Sequence, residues 1–520
     1  MTTTLLPTIP QGKVMRVQLH DAALFPRPAA DVAGTAQPGT TEPFDTNGWD
    51  TVYAIRLPDV NAAIAAQGTS PTAWQASLAG SMFSAAVDAQ GTFGPWRLVN
   101  GAGSGTTLRM EIPFPSATLT VNGAATQVTG GLAHVEVKLQ YLPRGSAGGT
   151  PNALLLRTTS ADPVNDPVVS VSGVSYDSPA HDEGLDAVLE RCLDQWFNQH
   201  LAEFTHVFAT VNLGATAASE GFQWLQPTST SYAYVDDADD INNALLGVLC
   251  MVLCHSPDQA IEELAGGAIP DQEVPARSAF SISRPLFLSQ MVLPMLPQQF
   301  TRTDASYFAI THNNTEIDNT QTIPMDPVEH AGISYDPEIT TFRITINADV
   351  METYAHIHIP ISPGIDAYSE VTYYSTLTMG TRADGTPGLT WKQAQPTDQN
   401  SWYTVATWVT VTEIVADLVL AVAAAVAGAV TVAVERVVVR VIIGLLIGGV
   451  AGAIAKVMEK IPEWIAGDVP NDLPSLDPFI ASATSATQWA GGGEFTLTGV
   501  SLNGALQLGG NPGFAHPAAG

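Results

Sequence analysis

The sequence predicts an α+β fold in which long helices alternate with antiparallel sheet. Three observations lead there: a hydrophobic period that switches repeatedly between helix and strand, one helix-like apolar run over 411–464, and a composition rich in turn formers. Charged residues make up 13% of the 520, against 44 Gly and 36 Pro, a balance that suits short strands joined by turns. A chain of this length exceeds one ordinary core, so two or more modules are expected. Fifty acidic and twenty basic side chains give a net charge of −30, which repels phosphate backbones and argues against nucleic-acid partners. Anionic membranes repel the chain too, less so once carboxylates protonate.

Taken in order, residues 1–44 are a lead-in rich in Pro, Thr, Ala and Gly. Trp49, Val52, Tyr53, Leu57, Val60 and Ile64 then recur at helical spacing as far as Gly68, with Pro58 expected to kink that helix. After Ser77 the period changes to two. Val135, Val137, Leu139 and Tyr141 alternate with His134, Glu136, Lys138 and Gln140, which predicts a half-buried antiparallel strand. Leu119 and Val121 begin another, ending at an Asn122-Gly123 hairpin turn, and 168–174 extends the sheet. Helix returns over 182–201, where Leu185, Leu189, Cys192, Trp196 and Phe197 share a stripe. Extended segments are expected at 204–213 and 222–234, and a second apolar helix at 241–254, its start facing Asp236, Asp237, Asp239 and Asp240.

The acidic, turn-rich stretch 256–279 reads as a linker between a module at 45–255 and another at 280–520. In the second module a Pro-punctuated apolar segment at 287–296 precedes strands at 342–346, 357–359 and 370–379. The long helix follows, and alternation at Phe495/Leu497 and Leu506/Leu508 closes the chain. Within 411–464 two uncharged runs, 418–434 and 441–455, flank Glu435, Arg436 and Arg440. Each run is shorter than the roughly eighteen residues of a membrane span, and Ala, Gly and Val dominate both. Burial beneath a curved sheet is the preferred reading. A membrane-inserting hairpin turning at 435–440 is the alternative; a stable span is not expected. Leu418, Leu420, Leu445, Leu446 and Ile454 are the candidate lipid contacts.

Chemistry is thinly written. Cys250, Cys254 and His255 lack the second ligand pair of a zinc site. His356 and His358 share a strand face and would need a third ligand, with His330 and Asp366 nearest in sequence. Asp236 to Asp240 lack the spacing of a calcium loop, and the glycines at 101–105 lack that of a phosphate loop. No nucleophile elbow or metalloprotease motif occurs. No enzyme activity, metal or cofactor is therefore expected. Three cysteines make no disulfide framework, and the N-terminus lacks a secretory pattern, so synthesis in the cytosol is expected, with later release left open.

The run Asn47-Gly48-Trp49-Asp50-Thr51-Val52-Tyr53 resembles the opening signature of a group of tubular lipid-binding (TULIP) proteins. These are the clostridial proteins encoded beside botulinum neurotoxin in OrfX-type clusters, and their bacterial relatives. The stretch from Phe222-Gln223-Trp224 to Tyr234, Ser283-Arg284-Pro285-Leu286-Phe287 and the segment 489–508 are similar to that group as well. The resemblance implies an elongated TULIP-like body with long helices wrapped by curved antiparallel sheets and a lipid-holding groove. It also implies a non-enzymatic accessory role, with a lipid or fatty acyl ligand and protein partners from the same cluster. The lead-in and the very apolar helix depart from the pattern.

Overall fold

The computed structural model describes residues 43–80, 85–101, 104–143, 152–162, 165–213, 220–237, 240–300, 302–381, 387–410, 412–447 and 475–512. They are dominated by antiparallel sheet and fall into two compact units. The N-terminal unit takes Asp45–Ile282, Ile480–Gly499 and the residues from Gln507 onward. The C-terminal unit takes Ser283–Phe479 and Val500–Leu506. The stretch read as a linker thus lies inside the N-terminal unit, which also draws strands from the far end of the chain.

In the N-terminal unit, strand Thr51–Arg56 lies between Leu245–Val252 and Ser278–Ile282, with Val52 opposite Leu249 and Ser281. Two expectations are corrected here. The segment expected to be a second apolar helix contains the strand Leu245–Val252, all eight residues buried. A run apolar on both faces carries no period, and its place between two strands decided the matter. The helix expected from Trp49 also begins as strand, and only Leu57–Gln67 (α1) is helical. Pro58 sits in its first turn, where a missing N–H costs nothing, so it starts the helix rather than kinking it. Gly68 ends it in the left-handed conformation, φ 58°.

A second sheet in this unit runs in the order Ala73–Leu78, Val87–Thr92, Thr107–Val121, Ala124–Pro143, Asn152–Leu156, Val207–Val211, Thr487–Trp489. The expected Asn122-Gly123 turn joins its two longest strands, both residues at positive φ. Helix Glu183–Gln199 (α2), capped by Asp182 accepting from Leu185 N at 3.0 Å, matches the predicted stripe. Its Trp196 and Phe197 join Phe93, Trp96 and Phe204 in an aromatic cluster with centroids 4.8–5.8 Å apart.

The buried face of this sheet changes sides along its length. Leu108, Met110, Ile112 and Phe114 are buried, then Ala117 and Leu119. The partner strand does the same, with Val135 and Ala133 buried, then Val128. Phe114 pairs with Gly131 and Ser116 with Thr129, so the two strands switch together. Successive side chains alternate faces, and a step of three residues therefore crosses the sheet.

In the C-terminal unit, Arg284–Phe287 (α3) runs on through π and 3-10 turns to Gln298, where Pro294 and Pro297 interrupt regular bonding. Its sheet has the order Phe308–Thr311, Glu316–Asn319, Glu338–Asn347, Val350–Ser362, Ile365–Thr381, Pro387–Val405. Glu413–Ile447 (α4) lies on the last three strands, and Asp477–Thr484 (α5) follows, most of it, from Ile480 on, belonging to the N-terminal unit. Among the described residues α4, with 35 residues, is far longer than the other helices; α2 has 17. The helix passes unbroken through Glu435 and Arg436, so the turn at 435–440 that the alternative, membrane-inserting hairpin called for is absent from this structure. No Gly, Pro or Asn stands there to break it. The remainder of the predicted run, 448–464, lies outside the described residues.

Candidate functional site

The apolar helix was the sequence's main functional candidate, and α4 buries one face against the sheet. Val419, Val422, Ala423, Val426, Ala427, Val430, Val434 and Val437 are all at most 1% exposed, at the i, i+3, i+4 spacing of a packed stripe. Beneath it Ser369 and Ser401 share a hydrogen bond of 2.5 Å, and Ser369 Oγ also donates to the Ala423 carbonyl at 3.3 Å. Small side chains on both sides let helix and sheet approach closely. Leu418 and Leu420 lie off this stripe, half exposed. Leu445 and Leu446 are within α4, their side chains outside the description, and Ile454 is outside the described residues.

A partly open cavity does exist in the N-terminal unit. About 320 Å³ lies between the rings of Tyr53, Phe280, Trp489 and Phe495, with Ser278 and Thr487 among its polar groups. Tyr53 and Phe280 are cross-strand neighbours with centroids 4.6 Å apart. Burial pushes the Tyr53 hydroxyl well above its usual range, and the Cys250 thiol adds to this. Such a chamber can receive an apolar tail and hold one polar atom at its wall; sequence reading missed it, because its lining comes from segments more than 200 residues apart.

The other constellations resolve into structural roles. Cys250 is buried, its thiol raised to about 12 by burial, while Cys254 is exposed, so the two do not converge on His255. His255 instead faces Asp50, Nδ1 to Oδ2 2.8 Å. His358 bridges three strands, 2.8 Å from Glu338 and 3.1 Å from Asp366, and His356 bonds Thr340 at 2.6 Å. Burial pulls the His358 imidazolium down, but the two carboxylates outweigh it and its pKa is raised. Asp236 accepts from Gly101 N and Asp240 from Asn242 N, as turn caps do. His312, Glu316 and Asp318 converge closely enough for a metal, yet the Arg343 guanidinium already sits 3.1 Å and 2.8 Å from the two carboxylates.

A protein-family model described as OrfX-like, protein OrfX2/OrfX3/P47, matches residues 46–510. The chain belongs to the OrfX-like family. Protein OrfX3 of Paraclostridium bifermentans is 27% identical over 385 residues, 68% of this chain and 76% of that protein. Protein OrfX3 of Clostridium botulinum (strain Kyoto / Type A2) is 25% identical over 407 residues, 72% of this chain and 81% of that protein. The solved structure of P47 from Clostridium botulinum A2 superposes with a TM-score of 0.59 at 17% identity, over 90% of this chain and 98% of P47. P47 of Clostridium botulinum E1 gives 0.52 at 16% identity, over 90% and 99%.

The stretches that carried the resemblance to OrfX-like proteins prove to be clamps. Asn47 and Gly48 both take positive φ, turning the chain so that Asn47 Nδ2 reaches Glu263 O at 3.0 Å and Trp49 Nε1 reaches Ile261 O at 2.9 Å. Asp50 accepts from Val252 N at 2.9 Å. Tyr232 Oη donates to Thr106 O at 2.7 Å and accepts from Leu139 N at 2.8 Å. Ser283 caps α3 at Leu286 N, and Arg284 donates to Ile346 O at 3.2 Å. These residues hold distant segments of each unit together.

Proposed function

We propose that this chain is a non-enzymatic accessory protein of a bacterial toxin-type gene cluster, made in the cytosol, that takes up an acyl chain and works with proteins encoded beside it. The family match over 46–510 carries the accessory reading. The aromatic chamber of about 320 Å³ and the apolar helix support the acyl ligand. In this reading the body is TULIP-like, with α4 lying on Val350–Ser362, Ile365–Thr381 and Pro387–Val405 as support. Native mass spectrometry with lipid extraction, on protein purified without detergent, tests it. Adducts of defined lipid mass, reduced when the exposed chamber residue Ser485 is changed to Trp, are expected. A clean apo mass overturns the acyl ligand and leaves protein surfaces to carry the function.

A second reading has one favouring observation. Val415–Val437 is long and apolar enough to cross a membrane by length and composition, with mean hydropathy 2.3. If α4 leaves its sheet as carboxylates protonate, liposome leakage rises towards about pH 4–5. Protein inert there removes this reading.

A further inference from the structure

The side switch in the second sheet of the N-terminal unit leaves a shallow polar hollow, largely open to solvent, of about 790 Å³ where the strands have turned their apolar face away. Its floor is one row of side chains in register across four strands: Gln75 opposite Gln90, Gln90 opposite Thr118, Thr118 opposite Gln127. The next row adds Thr92 and Ser116, bonded to each other at 3.0 Å. Trp196, His200 and Glu203, from α2 and the turn after it, also line the hollow. Trp196 stacks on His200 with centroids 4.8 Å apart.

We infer that this hollow binds a neutral oligosaccharide. Among the described residues the lining contains no Lys or Arg, and Glu203 is the one carboxylate. Phosphates, sulfates and anionic headgroups therefore meet repulsion with no cation to offset it. Primary amides and hydroxyls both donate and accept, which matches the paired donor and acceptor character of sugar hydroxyls. The lining is too polar to receive an acyl tail in place of water. The row crosses four strands, about 14 Å at ordinary strand spacing, which is longer than a single sugar ring. Gln75, Gln90 and Gln127 are exposed, and Gln127 Oε1 accepts from Thr118 Oγ1 at 3.1 Å on the surface, so a ligand can meet these amides without disturbing the core.

Isothermal titration of the full chain with maltotetraose, chitotetraose, mannotetraose, lactose and sialyllactose, each to about 5 mM, tests the inference. Saturable binding of at least one neutral sugar is expected, with sialyllactose at least about tenfold weaker than lactose wherever lactose binds, because of Glu203. Gln75→Ala with Gln90→Ala should weaken the bound sugar at least about tenfold, while Gln321→Ala in the C-terminal unit leaves it unchanged. Circular dichroism confirms that these surface variants fold. No saturable binding to any neutral sugar overturns the inference, as does binding that survives the double change or favours sialyllactose.

Discussion

Two histidines show how differently one residue type is used. His206 is fully buried beside Phe208, with Nδ1 3.1 Å from Thr69 Oγ1, and burial lowers its pKa to about 4. The unfolded chain binds that proton near pH 6.5, so the stability His206 confers is complete above 6.5 and drains away as pH falls towards 4. Unfolding in urea at stepped pH should show His206→Gln flattening this loss by about 3 kcal/mol. His358 works in the opposite window. Its raised pKa gives stability that is present below 6.5 and lost as pH rises through its folded value, and His358→Asn should remove that slope. Gly91 is a third case. The Trp74 indole lies across it, and an added Cβ would stand 2.5 Å from Trp74 Nε1 and 2.6 Å from the Ser116 carbonyl. Because one of those atoms is backbone, Gly91→Ala should cost about 2 kcal/mol, read as a lower urea midpoint. None of these roles was legible in the sequence, since each depends on what a distant strand places opposite the residue.

Elements with a period were legible, and those without one were not. The alternation from His134 to Tyr141 and the stripe in α2 both appear in the structure as read. The strand Leu245–Val252 was misread because both its faces are covered, and α1 because strand and helix follow each other without a gap. The helix α4 was legible but its faces were not, as Val and Ala fill it almost all round. The packed face is now defined. Val426→Asp should destabilise the C-terminal unit by about 4 kcal/mol, whereas Leu420→Asp should change it by less than about 1 kcal/mol. Equal effects in thermal unfolding would contradict that assignment. The polar hollow escaped notice for a related reason: Gln75, Gln90, Thr118 and Gln127 become one row only through register.

At the scale of the whole molecule, the family was legible because its signature residues turn and cap the chain at fixed places, whereas the division into units was not. Cutting at Ile282 removes Thr487–Trp489 and Gln507–Asn511 from the N-terminal unit and uncovers the strands Val207–Val211 and Ser278–Ile282. Exposed apolar edges pair with other chains. A fragment spanning 45–282 should therefore aggregate on expression, measured by its soluble fraction. A soluble, monomeric fragment would show that the C-terminal strands are dispensable.

That discontinuity also sets a timetable. Roughly 200 residues separate Ile282 from the point at Ile480 where the chain re-enters the N-terminal unit. At ordinary rates of elongation the ribosome takes about 10 to 40 s to make them. Throughout that interval the nascent chain carries a nearly finished unit with two open edges, growing at its tether. Strands made after most of the C-terminal unit are what close it, so premature termination anywhere in the C-terminal unit releases an incomplete N-terminal one as well.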